Sequence, residues 1–397
     1  MKIRYFILVL LLILILNICC QNRVPAPGKE PQLNPGEFDD RNNVEKPGDS
    51  IQNNMENDTD SLDDMINAMN LEEKIGQLFI VGIDGTKIDP ETKSFLEEYP
   101  FGGVILFQRN IQSPEQLKEF TGRLQKLSYN NLPLFIAVDE EGGRVTRTPG
   151  EKFPSAQKMS QMEVDEVYEI GKRMGAKLDD LGINLNFAPV LDINLDPRNE
   201  VIGERSFGSE PDKVAKYGLA LSRGLEDKGI ISAAKHFPGH GSTIVDSHYD
   251  LPVLDKSREE LLSFETIPFR EAVKYQIPAV MTAHIRVNEM DQKPATMSRE
   301  VLNLLREDLS FEGVIISDDL GMEALTKYYV WEEIVLDSFL AGVDIMLICH
   351  NQDSQAAAFN ILLEAYQEGI ISEDRLNQSL RRILNLKITF LNNNFKI

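Results

Sequence analysis

Cysteine, tryptophan and histidine are scarce in this chain of 397 residues, at three, one and five respectively. Three cysteines cannot build a disulfide framework, and two of them, Cys19 and Cys20, are adjacent. Positive charge is also short. The 41 Lys and Arg stand against 63 Asp and Glu, a formal net charge of -22. So negative a surface repels phosphate backbones, which argues against a nucleic-acid partner. The apolar run Tyr5–Leu16 falls short of the about 20 residues that span a bilayer. What is present, 42% hydrophobic and 26% charged residues, is ordinary for a folded globular chain.

Lys2 and Arg4 precede that apolar run and Cys19-Cys20 follow it, giving the charged and apolar regions of a secretory signal. The pattern resembles a bacterial lipoprotein signal over residues 1–20, with Cys19 or Cys20 as the lipidated residue. The resemblance implies an extracytoplasmic protein attached to a membrane through a lipid anchor. An uncleaved signal anchor is the alternative. Residues 21–60 are polar, rich in Asn, Pro, Asp and Glu, with Phe38 as their only aromatic. Such a stretch buries too little apolar surface to offset its ordering entropy, so it reads as a disordered tether.

From Ser61 the pattern changes. Short apolar runs occur at Leu78–Gly82, Gly103–Phe107, Leu134–Val138, Asn184–Leu191, Ile231–Phe237, Ala279–His284, Gly313–Ser317 and Asp344–Cys349. Helical patterns lie between them, as at Pro114–Leu127, Val164–Leu181, Pro211–Leu225, Arg299–Asp308 and Val330–Leu340, with a closing one at Asp374–Phe390. Runs of Val and Ile that do not alternate fit strands covered on both faces, as in a parallel sheet. Eight strand–helix units over about 330 residues predict an α/β fold, a (β/α)8 TIM barrel spanning 61–397 as a single catalytic domain. An open doubly wound sheet has the same periodicity.

In a barrel, chemistry belongs at the C-terminal ends of the strands. Asp139-Glu140-Glu141, Asp192, Lys235-His236, His284, Asp318-Asp319 and His350 all fall there. All five histidines, His236, His240, His248, His284 and His350, lie at or just after expected strand ends. The stretch Lys235-His236-Phe237-Pro238-Gly239-His240-Gly241 continues to Asp246-Ser247-His248 without resuming a helix until about Ser257. That is long for a loop between strand and helix, where about 2–6 residues is usual. Asp246, two residues before His248, could hold the imidazole in one tautomer and raise its pKa, as a general acid/base requires. In Ser317-Asp318-Asp319-Leu320 a buried strand ends in two carboxylates; one suits a nucleophile, the other a helix cap or hydrogen-bond acceptor.

These segments, together with Asp139–Val145 and Arg205-Ser206-Phe207-Gly208, resemble glycoside hydrolase family 3 and more closely its bacterial β-N-acetylglucosaminidase branch. The resemblance covers roughly Leu62–Leu386, with the motifs in the family's order. It implies that Asp318 is the nucleophile of a retaining mechanism, His248 the acid/base and Asp246 its orienting partner. It further implies that Asp139, Arg147, Arg205, Lys235 and His236 contact the sugar. Neither cofactor nor metal is expected, and the expected state is a monomer. The implied substrate is non-reducing terminal N-acetylglucosamine in peptidoglycan fragments, where it is linked to N-acetylmuramic acid. The second domain of many relatives is missing from this pattern. A family 3 β-glucosidase, a phosphorylase and a non-catalytic sugar-binding lipoprotein are the competing expectations. A metal-dependent hydrolase is disfavoured, because Pro238-Gly239 break the helical spacing between His236 and His240.

Overall fold

The computed structural model describes residues 55–129, 132–196, 198–243, 247 and 250–391. Eight parallel strands close into a barrel in the order β1-β10-β9-β7-β5-β4-β3-β2. Their ranges are β1 Phe79–Gly82, β2 Gly103–Leu106, β3 Phe135–Val138, β4 Leu185–Asn186, β5 Ile231–Phe237, β7 Ala279–Thr282, β9 Val314–Asp319 and β10 Ile345–Ile348. Two short strands outside the barrel, β6 Val253–Leu254 and β8 Arg286–Val287, pair with each other. Closure comes from β1, which pairs with both β2 and β10. The open-sheet alternative is thereby excluded.

The strands form where Val, Ile and Phe are concentrated, and β1, β2, β3 and β10 are buried along their whole length. Helices cover the outside by turning one apolar stripe inward. In Pro114–Gln125, for instance, Leu117, Phe120, Thr121 and Leu124 are buried, and Ser113 caps the first turn by accepting from the Gln116 N–H at 3.2 Å.

Several boundaries depart from the sequence expectation. Strand β4 covers only Leu185–Asn186 of the expected Asn184–Leu191, since Pro189 lacks the N–H that a ladder needs. Strand β9 runs on through Asp318 and Asp319 rather than ending at Ser317. A helix at Met55–Ala68 begins inside the stretch assigned to the tether, 21–60. Its C-terminal half buries Ile66 and packs Leu62 and Met65 on the core, at helical spacing, which anchors the polar turns before it.

Two strands carry an irregularity, and both are strands that matter below. Between Ala234 and Phe237, β5 has one more residue than its partner β7; between Ile316 and Asp319, β9 has one more than β10. In a regular strand, neighbouring side chains point to opposite faces. An extra residue breaks that alternation, and irregularities of this kind re-aim side chains beside functional sites. Consecutive polar residues, Lys235-His236 and Asp318-Asp319, sit at these two places.

The N-terminal end of the barrel is a structural floor. Buried Asp344 accepts from Arg306, from Ser379 Oγ at 2.6 Å and from Arg382 at 3.1 Å, tying β10 to the closing helix Glu373–Leu391. Lys387 of that helix is fully buried, donating to Gln77 Oε1 at 2.6 Å and the Gly102 carbonyl at 3.0 Å. Burial pushes its ammonium down from 10.5 to about 7. Between those values the unfolded chain holds a proton that the folded chain has released, so stability should rise with pH across pH 7–10.5. We expect a contribution of up to about 1.4 kcal/mol per pH unit, absent from Lys387→Met, in denaturant melts of the two proteins across that window.

Candidate active site

The acidic triplet after β3 divides its work three ways. Asp139 accepts from Lys235 Nζ at 2.6 Å and keeps its side chain 20% exposed, so it is within reach of a ligand. Glu140 is fully buried and organises the loop: it accepts the N–H groups of Arg147 and Thr148 at 2.8 and 2.9 Å and pairs with Lys177 at 3.0 Å. Asn186, from β4, pins the Glu140 backbone in both directions at 2.9 Å. Glu141 turns back to the site, meeting Lys235 Nζ at 2.7 Å and the Arg205 guanidinium through two bonds of 2.8 Å. Gly142 allows that reversal with φ +89, and a Cβ there would lie 2.3 Å from the Pro154 carbonyl oxygen.

Charge is tightly compensated in this network. Burial pushes the Glu141 carboxyl up, yet Arg205 and Lys235 more than offset it and hold it well below the carboxylate range. Burial opposes the Lys235 ammonium, but Asp139 and Glu141 keep it above its ordinary value. Removing one member of a buried network leaves the others unpaired. Glu141→Ala should therefore lose about 3–5 kcal/mol of stability, measurable by urea unfolding, whereas exposed Glu97→Ala should lose under about 1 kcal/mol.

Beside it, His236 Nδ1 donates to buried Asp192 at 2.6 Å while Nε2 stands 3.3 Å from Arg205 Nη2. Asp192 also accepts the His240 N–H at 2.6 Å. This carboxylate fixes the path of the chain as it leaves β5. Gly241 completes the turn, since a Cβ there would meet the Ile193 carbonyl oxygen at 1.8 Å. Arg205 engages Glu141 through Nε and Nη2, and Val201 O through Nη1 at 3.2 Å. Among the described residues, the buried Nε of Arg147 has no hydrogen-bond partner, next to a backbone held by Glu140.

Across the barrel mouth, Asp318 and Asp319 are set apart by their surroundings. Asp319 accepts from the Cys349 N–H at 3.0 Å and the Gly321 N–H at 3.1 Å, so it is the hydrogen-bonding member of the pair. Burial and the neighbouring Asp318 charge push its carboxyl up. Asp318 accepts only from the Asp319 N–H, at 2.8 Å, among the bonds seen for its carboxylate in the described residues. Burial pushes it up as well, but His284, His236 and Lys235 hold it below its ordinary value. Its carboxyl stays below its ordinary value, and among the described residues no side-chain hydrogen bond to it is seen. His284 Nε2–H donates to the Asp319 carbonyl at 2.9 Å, fixing the peptide beside it.

Asp139, Lys235, His236, Arg205 and Asp318 thus come together at the C-terminal end of the barrel. Asp246, His248, Cys19 and Cys20 lie outside the described residues. Glu141, Asp192 and His284 belong to the site although the sequence reading assigned them no role. Each lies in the loop after a barrel strand, and that position was the available signal. Among the described residues, no group of three or more His, Cys, Asp or Glu is arranged to hold a metal ion.

Residues 70–386 match the family described as Glycosyl hydrolase family 3 N terminal domain. The chain belongs to this family. Its similarity to a Beta-hexosaminidase A of Pseudoalteromonas piscicida is 36% identity over 76% of this chain and 56% of that one. A Beta-hexosaminidase of Neisseria meningitidis is 40% identical over 70% of this chain and 79% of its own length. Among solved structures, a family 3 beta-N-acetylglucosaminidase from a Paenibacillus species superposes with TM-score 0.80 at 39% identity, covering 82% of this chain and 63% of that one. A Beta-N-acetylhexosaminidase from Beutenbergia cavernae gives 0.76 at 27% identity, covering 80% and 98%. This family 3 chain therefore spans little more than half of the first of these relatives and nearly all of the last.

Proposed function

We propose that the protein is a retaining exo-β-N-acetylglucosaminidase. The observation that carries this reading is Asp318, held below its ordinary pKa and seen among the described residues with only a backbone hydrogen bond, at the mouth of a family 3 barrel that also holds the Asp139–Lys235–Glu141–Arg205 network. The names of the similar proteins support the acetylated hexosamine. Asp318 attacks the anomeric carbon as the glycosidic bond breaks, and His248 gives its proton to the departing oxygen. Water, losing a proton to the same histidine, then attacks the glycosyl ester and restores Asp318. Two displacements retain the anomer. Asp139, Lys235, His236, Arg147 and Arg205 bind the sugar hydroxyls, directly or by holding one another, and Asp246 orients His248.

The natural substrate in this reading is a peptidoglycan fragment carrying terminal N-acetylglucosamine on N-acetylmuramic acid. Support comes from the leading segment, whose apolar run and Cys19-Cys20 fit an exported, lipid-anchored protein placed near cell wall. Incubation with a panel of β-linked aryl N-acetylhexosaminides and glucosides, with and without phosphate, tests the activity. Release from the N-acetylglucosaminide, with the β-anomer of N-acetylglucosamine formed first by NMR, is the expected result. Preference for the glucoside, or formation of a sugar 1-phosphate, would replace the reading.

A further inference from the structure

The chain that leaves β5 is held at its base and again further out, by different means. At the base, buried Glu265 accepts from Ser242 Oγ at 3.1 Å and pairs with Lys256 Nζ, so the two feet share one carboxylate. The return limb is strapped by the β6–β8 pairing. Further out, the Ser247 carbonyl accepts the Ala324 N–H at 3.2 Å, and the Asp250 carboxylate accepts the Tyr328 hydroxyl. Ser247 and Asp250 flank His248 in the sequence. Ala324 and Tyr328 belong to the stretch that follows Asp318. Two contacts therefore tie the segment of the assigned proton donor to the segment of the assigned nucleophile.

Only one of the two depends on side-chain identity. Any residue except proline supplies the Ala324 N–H, whereas the other contact requires a hydroxyl at 328 and an acceptor at 250. Tyr328 is 55% exposed, so its ring gains little from packing. We propose that Tyr328 is a positioning residue: its hydrogen bond to Asp250 ties the chain that carries His248 to the nucleophile segment, and so governs how well His248 meets the leaving oxygen. This rests on the reading of His248 as the acid/base.

The test is Tyr328→Phe, which keeps the ring and removes the hydroxyl, beside Asp250→Asn, Asp250→Ala and the Tyr328→Phe/Asp250→Ala pair, all in the full chain. Loss of one orienting hydrogen bond should lower kcat on a β-linked N-acetylglucosamine disaccharide about three- to tenfold with KM little changed. On a nitrophenyl glycoside the loss in kcat/KM should be smaller, because that leaving group needs little protonation. Asp250→Asn keeps an acceptor and should be milder than Asp250→Ala, and the double variant should match the worse single one. Amide hydrogen exchange in peptides covering 244–250 should accelerate in Tyr328→Phe, and this arm reads the contact even if wild type cleaves none of the substrates. Inactive wild type with faster exchange in the variant would sink the proposed activity and the catalytic role while leaving the contact. Unchanged exchange with unchanged leaving-group dependence would overturn the proposal. A defect in Tyr328→Ala but none in Tyr328→Phe would also overturn it, making the ring a binding platform.

Discussion

Asp318→Ala should abolish turnover, with kcat lowered by at least about a thousandfold on every substrate, while the protein keeps its melting temperature. The two halves of that expectation have separate causes. Without the carboxylate, no glycosyl ester can form, and no neighbouring acid is placed to take over. Asp319 is held by the Cys349 and Gly321 N–H groups, and burial pushes its carboxyl up from the ordinary value. Stability should survive because, among the described residues, the Asp318 carboxylate shows a single hydrogen bond, to the neighbouring backbone, and sits beside a like charge. Deleting it relieves that repulsion. The pH profile adds an independent measurement. A nucleophile must be ionised, and Asp318 lies below the ordinary 3.8, so the acid limb of kcat/KM attributable to it should fall below pH 3.8. A 5-fluoro glycosyl fluoride should label Asp318, located by peptide mapping. Retention without any adduct, with an oxazoline trapped instead, would transfer the nucleophile's role to the substrate's acetamido group.

The parts of this site that were legible in the sequence share one property: they sit at a change of pattern. Asp139, Lys235-His236 and Asp318 each interrupt an apolar run, and the barrel rule makes such interruptions meaningful. What the sequence does not show is how one acid differs from its neighbour. Asp139, Glu140 and Glu141 are consecutive and chemically alike, yet the middle one folds the loop and the outer two hold Lys235. That division depends on Asn186 and Lys177, which come from β4 and from the helix Val164–Asp180. Asp318 and Asp319 pose the same problem, and the solution again arrives from elsewhere, as the Cys349 N–H after β10. The extra residues in β5 and β9 were equally invisible, because register is a relation between strands and no single strand states it.

The fold was read more fully than the site for a related reason. Strand burial on both faces is written into each apolar run, so seven of the eight expected runs match barrel strands within two residues at either end. The exception, β4, failed through Pro189, a residue present in the sequence but outweighed there by its apolar neighbours. The floor of the barrel was missed outright. Asp344 opens an expected strand and Lys387 lies in the closing helical pattern, but nothing there marks either as buried, since burial of a charge requires partners that only the closed barrel assembles.

His248→Ala should cost about 10²–10⁴-fold on a disaccharide, and the loss should depend on what is leaving. A sugar hydroxyl departs poorly without a proton, whereas a nitrophenolate already stabilises its negative charge. The bond-breaking step on a nitrophenyl glycoside should therefore be slowed far less. Deglycosylation then becomes limiting, because the same histidine must take a proton from the incoming water. Steady-state kcat on the aryl substrate should fall while a burst of nitrophenolate appears. Azide needs no base to act as a nucleophile, so it should raise kcat in the variant and yield the β-glycosyl azide by the same retaining path. Wild type should respond little. Asp246→Ala should reproduce this profile more weakly, since the imidazole remains but its orientation and basicity are lost. The comparison also separates catalysis from binding. A residue that only gripped the sugar would raise KM on both substrates equally and leave azide without effect, and that outcome would move the acid/base away from His248.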